Sequence, residues 1–146
     1  MNGIVVGVDG SAASVAALRW AIAQAGAARC PIMAVEVRPE VHLLPGTSYA
    51  LQPYGSAPPV ERTRSRLHET VATTVAALPD KPHVVEIQVQ GDAATELTRA
   101  ANNGGSTLVL GYTPHNRITE FLLGRVTSEC LRRSRRPVVL VPVSAR

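Results

Sequence analysis

Ile4-Val5-Val6-Gly7-Val8-Asp9-Gly10-Ser11 is the stretch that decides the fold. Its opening half is a run of β-branched residues with no polar alternation, which reads as a strand buried on both faces. Asp9-Gly10 then breaks the run, and Ser11 is placed to cap a helix. The helix that follows runs from Ser11 to about Ala28, with Val15, Leu18, Ile22 and Ala25 recurring at helical spacing. Gly26 and Pro31 mark its end. A strand passing through a tight turn directly into a helix is the first half of a parallel β-α-β unit.

The same alternation repeats along the chain. Ile32 to Val37 reads as the second strand, and Pro59 to about Leu78 as a helix with Leu67, Val71, Val75 and Leu78 on one face. Between them, residues 38–59 carry five prolines and few charges, an expected long loop. Pro79-Asp80-Lys81-Pro82 breaks the chain before a third strand, Val84 to Val89. Asp92 caps an expected helix from Ala93 to Asn102, with Ala94, Leu97 and Ala101 inward, and Asn103-Gly104-Gly105 stops it. Thr107 to Leu110 is a short fourth strand. A helix is expected from about Thr119 to Ser134, and Pro137 to Pro142 is the fifth strand.

Strands apolar on both faces and separated by amphipathic helices indicate an α/β domain: a doubly wound parallel sheet with helices on both faces. The chain has 146 residues, one domain's worth, enough to bury roughly 70% of its unfolded surface without a disulfide or metal. The core must come from Val, Leu, Ile and Ala, because aromatic residues are only 3%. That scarcity also argues against a single-stranded nucleic-acid platform, which stacks bases on aromatic rings, and makes a nucleic-acid partner unexpected. The net charge of +4 suits an anionic partner, and all basic residues except Lys81 are arginines, which recognise phosphate bidentately. Cys30 and Cys130 show no metal or redox spacing. With no signal-like N-terminus and no long apolar run, a cytoplasmic protein away from membranes is expected.

In such a sheet, ligands sit beyond the carboxyl ends of the strands, where the strand order reverses. Two loops at carboxyl ends stand out: Asp9-Gly10-Ser11, and the one opening at Gly111. The second reads Gly111-Tyr112-Thr113-Pro114, nine residues from His115 to Leu123, then Gly124-Arg125-Val126-Thr127-Ser128. This resembles the phosphate loop of the universal stress protein family, whose ATP-binding members have Gly, two residues, Gly, nine residues, then Gly and Ser or Thr. Val6-Gly7-Val8-Asp9-Gly10-Ser11, Leu122-Leu123-Gly124 and Arg136-Pro137-Val138-Val139-Leu140-Val141 extend the likeness over nearly the whole chain.

The resemblance implies the sheet order 3-2-1-4-5, the adenine nucleotide hydrolase-like arrangement, which brings the two loops together. It further implies an adenine nucleotide as ligand, foremost ATP, with magnesium as a possible companion. Asp9, beside Ser11, and either Ala34 or Val35 would hold the adenine and ribose. Gly91, Leu110, Gly111, Gly124, Arg125 and Val126 would line the ribose and phosphate path, with Thr127 in the same loop. Gly111 and Gly124 are expected in special backbone conformations. Two residues depart from the family pattern. Pro114 replaces the second glycine and removes an N–H donor. Arg125 replaces a hydroxyl, and with His115 or Arg117 it would supply charge in place of lost backbone donors.

The resemblance also implies a homodimer. Pro137 and Pro142 suit a sheet edge, so Val138 to Val143 could pair with its copy across a two-fold axis. Two other readings accompany nucleotide binding: a nucleotide-independent protein working through its dimer surface, and a slow ATPase. No GxxxxGK[ST] loop is present and no base stands beside a nucleophile. His42, His68 and His83 lack metal-ligand spacing. Trp20 suits packing, and the arginines from Arg132 to Arg136 suit a helix C-terminus.

Overall fold

The computed structural model describes residues 3–39, 59–79, 82–114 and 124–143. The chain runs β1 (Gly3–Gly7), α1 (Ala12–Ala28), β2 (Ile32–Arg38), α2 (Pro59–Ala76), β3 (Val84–Gln90), α3 (Ala93–Gly104), β4 (Gly105–Tyr112), α4 (Arg125–Arg133) and β5 (Val138–Pro142). All neighbouring strands are parallel, in the order β3-β2-β1-β4-β5. The strand order reverses at β1, which lies between β2 and β4: Val6 stands opposite Ala34 on one side and Val109 on the other. β3 and β5 form the edges.

The period of two along each strand divides the core into two layers. Val6, Ile4 and Ala34 pack with Leu18, Ile22, Leu67 and Val71 under α1 and α2. Val5, Val35, Leu108 and Leu110 pack with Leu97, Ala101 and Cys130 under α3 and α4. Trp20 is packed against the first layer. α1 carries one charged residue, Arg19, and its apolar length is met by contacts to β1, β4 and β5 on one side and to α2 on another.

Three expectations are corrected. The fourth strand is longer than its apolar heart, because β1 and β5 supply partners along Gly105–Tyr112; pairing rather than side-chain character sets its length. The last helix begins at Arg125 and not near Thr119, because Gly124 stands at φ 76° and ψ 156°, outside helical geometry. β3 is not apolar on both faces: Glu86, Gln88 and Gln90 alternate with Ile87 and Val89, as an edge strand allows. Residues 40–58, the body of the proline-rich loop, and His42 with them lie outside the described residues. α2 does open at Pro59, where a missing N–H is harmless.

Candidate functional site

The C-terminal ends of β1, β2 and β4 and the starts of α1, α3 and α4 enclose a cavity of about 230 Å³. Its apolar walls are Val35 and Val37 from β2, Leu97 from α3, Leu110 from β4 and Val126 from α4. Its polar side is Asp9, Ser11 and Ser14, with Thr127 opposite. The two loops marked out in the sequence therefore meet here, as the adjacency of β1 and β4 requires.

The Asp9–Ser14 turn is internally bonded. Ser11 N–H and Ser11 Oγ both donate to Asp9 Oδ1, at 2.9 and 2.5 Å. Ser11 Oγ accepts from Ser14 N–H at 3.2 Å, capping α1, while Ser14 Oγ donates to the Ser11 carbonyl at 2.9 Å and accepts from Asp9 N–H at 3.3 Å. Desolvation by the surrounding protein disfavours the Asp9 carboxylate, but the bonds from Ser11 and Ser14 together outweigh it and hold the carboxyl below its usual value. Asp9 is the one charged residue lining the cavity among the described residues, and it is an anion.

Gly111 is required for space, not for its dihedral angles. A Cβ there would collide with the carbonyl of Ala13 in the first turn of α1. The expectation of a special backbone conformation at Gly111 is thus corrected: its φ is not positive, unlike those of Gly10, Gly91 and Gly124. At Gly124 the situation is inverted. Among the described residues nothing lies within 4 Å of a Cβ, but φ is 76°.

α4 starts at Gly124 with no side-chain cap among the described residues, and its first intrahelical bond is Ser128 N–H to the Gly124 carbonyl at 3.0 Å. The N–H groups of Arg125, Val126 and Thr127 precede that bond and have no acceptor within the helix. Val126 and Thr127 line the cavity, so the positive end of the α4 dipole faces it. α3, by contrast, is capped by Asp92, which accepts from Thr95 N–H at 3.0 Å and Thr95 Oγ1 at 2.8 Å. The Thr95 bonds, assisted by Arg125 and Arg133, hold the Asp92 carboxyl low.

Of the expected site residues, Asp9, Ser11, Val35, Leu110, Gly111, Val126 and Thr127 line the cavity. Ala34 does not: it is fully buried in the opposite core layer, because adjacent strand residues point to opposite faces. Gly91 lies at the end of β3, donating to the Arg38 carbonyl at 2.8 Å, and is not among the lining residues. Pro114 and Gly124 do not line the cavity either. Arg125 also stays outside it, with an 85% exposed side chain whose Nε lies 3.9 Å from Glu129 Oε1. His115 and Arg117 lie outside the described residues. His83 is exposed, and His68 Nδ1 lies 3.0 Å from Glu86.

Gly7, Val8, Ser14, Val37, Ala93 and Leu97 complete the lining and were not anticipated as site residues. Two of them left a signal. Val37 is two residues beyond Val35 on the same strand face, and Ser14 is one helical turn beyond Ser11.

The universal stress protein family model matches residues 1–142. Curated universal stress proteins of Mycobacterium bovis and Mycobacterium tuberculosis are 27% identical over 99% of this chain. The alignment covers 49% of those proteins, so the chain spans about half the length of the curated relatives it matches. Among solved structures, a universal stress protein in complex with cAMP superposes with a TM-score of 0.67 at 23% identity, covering 98% of both chains. One from Archaeoglobus fulgidus in complex with dAMP gives 0.61 at 16% identity, covering 97% of this chain and 98% of that one. At those identities the likeness is one of fold.

Proposed function

Because the chain belongs to the universal stress protein family, we propose that the cavity between β1, β4 and α4 binds an adenine nucleotide, ATP foremost, in a regulatory role. The observation that carries this reading is the start of α4 at the cavity, which has no side-chain cap among the described residues and brings the backbone donors of Val126 and Thr127 to an anion. The solved structures with cAMP and dAMP support the same ligand class.

The cavity's size supports one division of the ligand. At about 230 Å³ it is smaller than most ligand pockets, which run from roughly 300 to 1,000 Å³. The base and ribose fit against Val35, Val37, Leu97 and Leu110, with Asp9 accepting from a base or ribose donor. The phosphates extend over the α4 N-terminus. An ionised Asp9 belongs at the base end, since it would repel phosphate. Its single carboxylate makes a poor cation site, so magnesium would be held chiefly by the phosphates. Arg125 is paired to Glu129 only at the surface, an interaction worth about 0–1 kcal/mol, so a phosphate can draw it away.

Calorimetric titration with ATP, ADP, AMP, cAMP and adenosine, with and without magnesium, tests this. ATP should bind, and Arg125→Ala should weaken ATP while leaving adenosine unchanged. No heat with any adenine compound removes the reading. The open edge of β5 supports a homodimer across Val138 to Val143, and a monomer mass by light scattering at micromolar concentration would count against that part.

A further inference from the structure

Glu36 stands between Val35 and Val37 on β2 but points the other way. Its side chain is 4% exposed, and Oε1 accepts from Arg66 Nη2 of α2 at 3.2 Å. Arg66 continues across the turn at Gly10, its Cδ and Nε 3.8 and 3.9 Å from where a Gly10 Cβ would stand. The front of the cavity is made by Asp9 and Ser11 on one strand end and Val35 and Val37 on the next. Gly10 and Glu36 are the rear of those same two segments, and one arginine spans both.

The pair is not a saturated structural ion pair. Arg66 spends one recorded donor on Glu36 and is 61% exposed. Glu36 Oε2 and, on its in-register neighbour, Gln88 Nε2 are buried with no partner among the described residues. A buried carboxylate held by one bond is a poor stabiliser compared with an apolar pair. The strand ends themselves are held by Val8 N–H donating to the Val35 carbonyl at 2.9 Å; the Glu36 bond instead fixes the direction of the guanidinium toward the Gly10 turn beyond them.

We propose that Arg66, oriented by Glu36, is a positioning residue for the nucleotide cavity: it clamps the Asp9–Ser11 turn to the end of β2 from behind. The effect on ligand rests on the nucleotide reading above; the clamp itself does not. Arg66 acts on the wall and touches no phosphate, so it governs base and ribose binding.

Two variants test it: Arg66→Ala, and the Glu36→Gln/Arg66→Ala double, which relieves the buried charge if the single variant folds poorly. Amide exchange on ligand-free protein should quicken about tenfold at the Asp9 and Ser11 N–H groups, with β1 and β4 unchanged. Unchanged exchange at the turn, or a uniform rise through the sheet, overturns the clamp. In binding, adenosine and ATP should weaken by the same factor, about tenfold, with Arg66→Lys restoring part of it. A loss for ATP alone would make Arg66 a phosphate contact and overturn the positioning role. If the parent binds no adenine compound, the exchange result still decides the clamp, and only the nucleotide reading falls.

Discussion

α1 and α4 both begin at the cavity, and they begin differently. α1 is closed: Ser11 caps it, Ser14 returns the bond, and its first turn is pressed against Gly111. α4 is open among the described residues: Gly124 offers no side chain to cap it, and its first turn lies at the cavity. One helix start has met its needs within its own turn, while the other has no side-chain cap among the described residues. Helix N-termini are alike in charge, so the capping residue decides which of them can serve a ligand.

The largest effect expected from disturbing this contrast is at Gly111. Gly111→Val should lower stability by about 3 kcal/mol in urea denaturation, because the backbone of α1 itself is in the way and cannot give like a side chain. Gly124→Ala should lose about 1–3 kcal/mol although no described residue crowds the added Cβ, since φ 76° with ψ 156° is a region almost reserved for glycine. Equal tolerance of alanine and valine at both positions would break the distinction between space and conformation.

Removing the closed cap is milder. Ser11→Ala should cost about 1 kcal/mol by the same denaturation. It also strips the Oγ–H bond from Asp9 while the backbone N–H bond stays, so the carboxyl should titrate higher, which carboxyl NMR can follow. Asp9 and Asp92 both have folded values below the usual 3.8. Their contribution is therefore complete above that value and disappears as pH falls through the lower folded values. Asp9→Asn and Asp92→Asn should be less stable than the parent near pH 7, and the gap should narrow as pH falls below 3.8 through the lower folded values. A gap that does not narrow on acidification would trace to packing instead.

The smallest effect is chemical. Cys130 lies fully buried in α4, and burial, with Asp92 and Glu129 nearby, pushes its thiol up to about 11. It should resist a thiol reagent at pH 8 in the native state, while the partly exposed Cys30 reacts. Rapid labelling of Cys130 would mean that α4 detaches as a whole, rather than being open only at its first turn.

Much of the frame was legible because hydrophobic period is a local property. The strand cores at residues 4–7, 32–37 and 138–141, the inward faces of α1 and α3, and the caps at Ser11 and Asp92 follow from short-range spacing. The start of α4 did not, because the residues before Gly124 look as helical as those after it. The choice between Ala34 and Val35 was not legible either: β2 is apolar on both faces, so neither face announces the cavity.

The amino-acid sequence alone determined which segments are strands and helices, where glycine and proline interrupt them, and that two loops belong at carboxyl ends, because these depend on contacts a few residues apart. The tertiary structure alone decided that Gly111 must leave room for α1, that Val35 rather than Ala34 faces the cavity, and that Arg66 reaches Glu36 thirty residues away. Those facts depend on which surfaces meet once the sheet is assembled, and residues distant in sequence carry no local mark of the partner they will find.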